Sequence, residues 1–280
     1  MCFYCDVYGD PQYGNGLWYL NPKNHSRQMY KLRRPGEGVR GAEAGPESAA
    51  GLPPYGLLQA IEEGPEAVQK AAKAMEDVFK SAGMLGQVLP LKDAELVMEL
   101  SSPIGLISCL CRRDFRAIEE TNEHEYTCMG MGVGMLKWER WPERYKGGVH
   151  FVNPDEAKEW LRRMDRKGFV HCLMPFGAPY IGGFCQCDYP DCMLIRIQMD
   201  FGFGLLKSHY LAEVDYDMCN GCGVCVQRCK FGALKFEVTT DKANIDPFKC
   251  FGCGLCETGC PMGAIHLLDR MSNPILKEVW

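Results

Sequence analysis

Eight cysteines in the last quarter of the chain stand in two copies of one pattern, Cys219-x2-Cys222-x2-Cys225-x3-Cys229 and Cys250-x2-Cys253-x2-Cys256-x3-Cys260, the second closed by Pro261. Thiolates at this spacing hold two [4Fe-4S] clusters, and such clusters move single electrons. A tight loop with a cysteine at every third position offers three thiolates to a cubane, and the fourth must arrive from a distant point of the chain. The pattern therefore predicts a crossover. Cys219, Cys222 and Cys225 share one cluster with Cys260, and Cys250, Cys253 and Cys256 share the other with Cys229. Glycines flanking the second cysteine of each copy, Gly221 and Gly223, Gly252 and Gly254, let the backbone wrap closely and aim amides at sulfur. Structural zinc uses paired Cys-x-x-Cys or adds histidine, and a disulfide framework needs an oxidising compartment, so neither suits these eight residues.

The copies also match outside their cysteines, at a fixed offset of 31 residues. Val214-Asp215 answers Ile245-Asp246, and Gly232-Ala233-Leu234 answers Gly263-Ala264-Ile265. Over residues 209 to 270 the chain resembles the bacterial two-cluster ferredoxins, and the resemblance implies a duplicated strand, cluster loop, helix and strand about a pseudo-twofold axis. Lys230 departs from that pattern, standing where Pro261 stands in the second copy. A lysine beside Cys229 is expected to raise the potential of the cluster that Cys229 ligates.

Seventeen cysteines less these eight leaves nine. Seven form an irregular middle group: Cys109-x-Cys111 followed by Arg112-Arg113, then Cys128, Cys172, Cys185-x-Cys187 and Cys192. The reading adopted is a third [4Fe-4S] cluster on Cys109, Cys111 and Cys128 with one of Cys185 or Cys187, with Cys192 a further candidate. Zinc and unliganded buried thiols are the alternatives. Arg112 and Arg113 are read either as donors to cluster sulfur or a partner carboxylate, or as a solvated helix start. The remaining pair, Cys2-x2-Cys5, could add two thiolates.

The order Cys-x-Cys-Arg-Arg, Thr-Cys, a helix ending Gly-Phe-Val-His, Cys-x-Cys and then a two-cluster unit resembles a group of large iron–sulfur proteins of anaerobes. That resemblance implies an electron-transfer component of a multi-subunit oxidoreductase, with a flavoprotein, a ferredoxin or a catalytic subunit as partner. Asp188 occupies a place where the group often has a further cysteine.

Periodicity supplies the elements that must position these residues. Pro65 opens a helix whose apolar stripe is Val68, Ala71, Ala72, Met75, Val78 and Phe79, with Gly83 at its C-terminal cap. Asn153-Pro154-Asp155-Glu156 opens a second, with Ala157, Trp160, Leu161 and Met164 on one face and Gly168 as cap. A strand from Phe169 to Leu173 should follow. Residues 1–56 lack helical periodicity but carry Phe3, Tyr4, Tyr8, Tyr13, Trp18, Tyr19 and Tyr30. They read as an irregular arm that wraps a partner or the protein's own core. The expected fold class is α+β: the arm at 1–56, a mixed α/β cysteine-rich domain at 57–208, the ferredoxin-like two-cluster domain at 209–270, and a tail at 271–280.

The net charge of −5, from 31 basic and 36 acidic residues in 280, argues against a general affinity for nucleic acid. Charges such as Arg196, Asp200 and Lys207 interrupt the apolar runs, so no membrane span is expected, and the lack of a signal pattern at the start reads as cytoplasmic. Clusters in this number suit an anaerobe or a reducing cytosol. Gly130-x-Gly132-x-Gly134 is no dinucleotide fingerprint, no phosphate-binding loop occurs, and His124, His150, His171 and His209 are scattered. Two functions follow from the sequence: a non-catalytic electron relay, which the lack of a substrate signature favours, or an enzyme whose middle cysteines hold a cluster with an open iron.

Overall fold

The protein is described by a computed structural model over residues 60, 62–81, 85–132, 135, 149–174 and 182–276. The arm at 1–56, Cys2, Cys5 and the cap at Gly83 lie outside the described residues. The elements are α1 (Pro65–Ser81), β1 (Gly86–Leu89), α2 (Leu91–Leu100), β2 (Ile104–Ile107), α3 (Leu110–Arg116), β3 (Cys128–Met131), β4 (His150–Val152), α4 (Pro154–Arg166), β5 (Val170–Met174), β6 (Gly183–Cys187), α5 (Met193–Phe201) and β7 (Leu205–Leu206). The C-terminal unit adds β8 (Tyr210–Val214), α6 (Val224–Arg228), β9 (Leu234–Glu237), β10 (Lys242–Ile245), α7 (Leu255–Thr258) and β11 (Ile265–Asp269).

Seven strands form one sheet in the order β4-β2-β3-β6-β5-β1-β7, antiparallel except where β1 meets β7. Both faces are covered. On one, Ala94 and Met98 of α2 and Ala157, Trp160, Leu161 and Met164 of α4 pack on Ile104, Leu106, Met129 and Phe184. On the other, Met75 and Phe79 of α1 and Leu194, Ile195 and Ile197 of α5 pack on Val88, Val170, Cys172, Met174 and Cys187. Side chains alternate between faces along a strand, so two covered faces explain why β5 and β6 are buried along most of their length.

The helix expected from Asn153 is held at its start by a reciprocal cap. Asn153 Oδ1 accepts from the Glu156 amide at 3.0 Å, and Glu156 Oε2 accepts from the Asn153 amide at 2.8 Å. Its apolar stripe is buried as the periodicity implies, and Trp160 Nε1 donates to the Tyr126 carbonyl at 3.1 Å. The strand after it runs from Val170 to Met174, the expected span shifted by one residue toward the C-terminus.

The C-terminal unit is duplicated in its hydrogen bonds as well as in its sequence. The Asp215 amide donates to Ala264 O and the Asp246 amide to Ala233 O, both at 2.8 Å. β8 pairs with β11 and β9 with β10, each antiparallel. Each half thus borrows a strand partner and a turn from the other, which gives the unit its single core of Leu211, Val214, Ala233, Leu234 and Ile265. Leu276 is buried in that same core, so the tail expected from residue 271 is packed at least this far.

The two units share a core. Phe231, Phe251 and Leu255 of the C-terminal unit join the cluster formed by the sheet and α5, with the Phe231 and Phe251 rings stacked at 4.1 Å between centroids. Arg228 crosses the boundary, donating to Leu255 O at 2.7 Å and to Asp165 O at 2.8 Å.

Candidate iron–sulfur sites

In the C-terminal unit the cysteines line two separate cavities. One holds Cys219, Cys222, Cys225 and Cys260, with Pro261 and Met262 at its wall, around about 330 Å³ of atom-free space partly open to solvent. The other holds Cys250, Cys253, Cys256 and Cys229, around about 370 Å³. Three neighbours from one loop and one cysteine from the opposite copy meet in each. Four cysteines lining one cavity, three from a single loop and one from afar, is the donor set that a [4Fe-4S] group takes.

Local structure explains the aim of each sulfur. The Asp215 carbonyl accepts from the Cys219 amide at 3.0 Å and the Asp246 carbonyl from the Cys250 amide at 3.1 Å, which closes the turn entering each loop. At the far end, the Ala233 amide donates to Cys229 Sγ and the Ala264 amide to Cys260 Sγ, both at 3.3 Å. Such donors stabilise the more negative, reduced state of a bound cluster. At Gly252, with φ of +65°, an added Cβ would strike the Tyr210 carbonyl and Ser208 Oγ, so only glycine lets the loop pass this close to β8. Burial pushes the Cys253 thiol up to about 12 and moves Cys256 upward as well. Buried thiols of this kind stay protonated until a metal supplies positive charge, so loading the site releases protons.

In the cysteine-rich unit the sheet register gathers what the sequence scatters. Ile107, Cys128, Cys185, Cys172 and Val88 form one row across β2, β3, β6, β5 and β1. Cys187 lies one pleat along β6 from Cys185, on the same face, opposite Val170. Cys109 is the N-cap residue of α3, with Cys111 in its first turn, and Cys192 is the N-cap residue of α5. Cys128 and Cys185 stand directly opposite each other on β3 and β6, and the thiols of Cys111 and Cys128 lie close enough to Cys109 to bear on its charge. Of the two expected alternatives for the fourth partner, Cys185 is the one that reaches Cys128.

These contacts set the charge. Hydrogen bonds from Cys111 and Cys128, helped by the Arg112 amide and guanidinium, hold Cys109 well below the usual thiol range. Hydrogen bonds from Cys128 and Cys187 lower Cys185 to about 5. Cys111 and Cys128, as the donors, move upward. A pocket that already stabilises two thiolates suits a cationic iron–sulfur core. Among the described residues no three His, Cys, Asp or Glu side chains close on one point as a single metal ion needs.

Two supporting residues escape a sequence reading. Glu120 is buried, and its Oε2 accepts from the Cys109 amide at 2.9 Å and the Thr127 amide at 3.0 Å, tying together the two loops that present Cys109 and Cys128. Arg112 lies over the Phe169 ring, with Glu120 at 3.7 Å and Asp191 at 3.9 Å. Of the readings for Arg112, a solvated helix start is thus excluded by burial, and its carboxylate partners belong to this chain. The Lys230 ammonium, expected to raise the potential of the Cys229 cluster, is paired with Asp188 at 2.6 Å, which offsets part of its charge. His171 is fully buried against Gln186, and His124 and His150 are exposed.

Residues 218–264 match the family of the 4Fe-4S dicluster domain. No curated protein matches the chain. No helix among the described residues is long and apolar enough to cross a membrane. The C-terminal part of this chain is therefore a ferredoxin-type 4Fe-4S dicluster domain, an iron–sulfur electron-transfer module.

Proposed function

We propose that this protein is an electron-relay subunit with three [4Fe-4S] clusters, joined to redox partners in an oxidoreductase complex of reducing, anaerobic surroundings. The ligand sets are Cys219, Cys222, Cys225 and Cys260; Cys250, Cys253, Cys256 and Cys229; and Cys109, Cys111, Cys128 and Cys185. Each bound cluster accepts and releases one electron at a time.

The observation that carries this reading is the shared core between the units. Cys185, Cys229 and Cys253 all pack against one hydrophobic cluster, with Cys187 and Cys192 inside it. The Cys250 loop therefore sits between the middle cysteines and the Cys219 loop, which takes no part in that cluster. This arrangement orders the relay: middle site, then the Cys250 set, then the Cys219 set. The last opens outward, with Cys222 exposed and Met262, at the cavity wall, 44% exposed. Exposed apolar atoms beside a redox site suit a protein partner, either a flavoprotein, another ferredoxin or a catalytic subunit. Among the described residues the middle site lies between α3, α5 and the sheet with Cys109, Cys187 and Cys192 buried, which favours relay over catalysis there.

The test is the iron and acid-labile sulfide content of the anaerobically purified full chain, with EPR after reduction. At least about twelve irons per chain are expected, and about eight would overturn the middle cluster.

A further inference from the structure

A cubane uses four thiolates, and three buried cysteines of the middle group remain once Cys109, Cys111, Cys128 and Cys185 are assigned. They are not scattered. Cys187 stands one pleat along β6 from Cys185, the residue opposite Cys172 on β5, and Cys172, Cys187 and Cys192 are all buried in one hydrophobic cluster. The three arrive from separate elements, Cys172 from β5, Cys187 from β6 and Cys192 from the N-cap of α5.

Their arrangement repeats that of the first set. There, the N-cap residue of a helix (Cys109) meets cysteines from two neighbouring strands (Cys128 and Cys185). Here, the N-cap residue of another helix (Cys192) meets cysteines from β5 and β6, which are also neighbours. Neither N-cap cysteine uses its sulfur to cap its helix. The one difference is the position two residues into the helix, Cys111 in α3 and the buried Leu194 in α5. The second set is the first without its fourth thiolate. β1 accommodates this group with Gly86, where any Cβ would collide with Cys172 Sγ.

We propose that Cys172, Cys187 and Cys192 hold a second iron–sulfur centre in the cysteine-rich unit, bound by three thiolates and open to a non-cysteine ligand at its remaining iron. This rests on the reading of Cys109, Cys111, Cys128 and Cys185 as one complete ligand set. The site lies in the hydrophobic cluster that also contacts Cys229 and Cys253, which places the centre between the first middle cluster and the ferredoxin unit. Apolar walls from Leu194, Ile195 and Phe251 surround it, so its fourth ligand is small.

The experiment compares the intact chain with a Cys172→Ala/Cys192→Ala variant and a Cys109→Ala/Cys128→Ala variant, each purified anaerobically and analysed for iron and sulfide. The proposal expects about sixteen irons in the intact chain and about twelve in each variant. About twelve in the intact chain, unchanged by Cys172→Ala/Cys192→Ala but reduced by Cys109→Ala/Cys128→Ala, overturns this proposal and leaves the three-cluster reading standing. About eight in the intact chain overturns both. A measurement on unaltered protein guards against misfolded variants: adding a small exogenous thiol to the reduced chain should change the EPR signal of one cluster and leave the others alone. Signals that all stay unchanged overturn the open iron.

Discussion

Lys230 Nζ lies 2.6 Å from Asp188 Oδ1, joining the residue that follows Cys229 to the residue that follows Cys187. Both side chains are mostly buried, so the pair binds the two units at the point where their cysteine motifs meet. The contact is an ion pair rather than an aligned hydrogen bond. It makes the potential of the Cys229 cluster depend on a residue of the other unit. Asp188→Asn leaves the lysine charge unopposed and should raise that potential by about 1 kcal/mol, or tens of millivolts for a one-electron couple. Lys230→Met should lower it by a similar amount. Redox titration followed by EPR checks both signs, and equal shifts in all clusters would show that the effect is not local.

The crossed ligand sets make a sharper forecast. Cys260→Ala should degrade the cluster held by Cys219, Cys222 and Cys225, and Cys229→Ala the one held by Cys250, Cys253 and Cys256. In each case the damage falls on the copy that was not altered. EPR of the reduced variants decides it, since loss confined to the altered copy would contradict the pairing seen in the cavities.

Glu120 is expected to be structural for the middle site. Glu120→Ala leaves the amides of Cys109 and Thr127 without their acceptor and should cost on the order of 3 kcal/mol, with loss of about four irons. Glu120→Gln keeps an acceptor oxygen and should retain the iron. Burial is the first cause that raises the Glu120 carboxyl above the usual range, with the Cys109 thiolate adding to it and Thr127 opposing. A raised folded-state value means that its favourable contribution is present at acid pH and is lost as pH rises through that value. Relative to the wild type, the Glu120→Gln protein should therefore gain stability as pH rises from the ordinary carboxylate range toward neutrality. Denaturation midpoints across that range measure it.

Two glycines with the same backbone separate strain from collision. Gly232 has φ of +63° with open space at its Cβ position, and Gly252 has φ of +65° with the Tyr210 carbonyl in the way. Gly232→Ala should cost about 1 kcal/mol, the penalty of the left-handed region alone. Gly252→Ala must also push β8 from the cluster loop, so a cost above roughly 3 kcal/mol and loss of the Cys250 cluster are expected. Thermal unfolding with parallel iron analysis compares the two.

The ferredoxin unit was legible because its chemistry is local. Three of every four ligands fall within seven residues of one another, and the 31-residue repeat exposes the duplication without any knowledge of packing. The helices at Pro65 and Asn153 were legible for the same reason, since an apolar stripe is a property of residues close in sequence, although Val78, counted in the Pro65 stripe, is exposed. The middle cysteines could be counted but not sorted. Cys109 and Cys185 stand 76 positions apart in the chain, and only the antiparallel register of β3, β6 and β5 brings Cys128, Cys185 and Cys172 into one row. Register depends on pairings among distant strands, which no local pattern encodes. The same holds for Lys230 and Asp188. The sequence by itself determined that this chain carries two clusters and moves electrons; the tertiary structure decided which further thiols stand together, which charges are offset and which cluster loop faces the rest of the molecule.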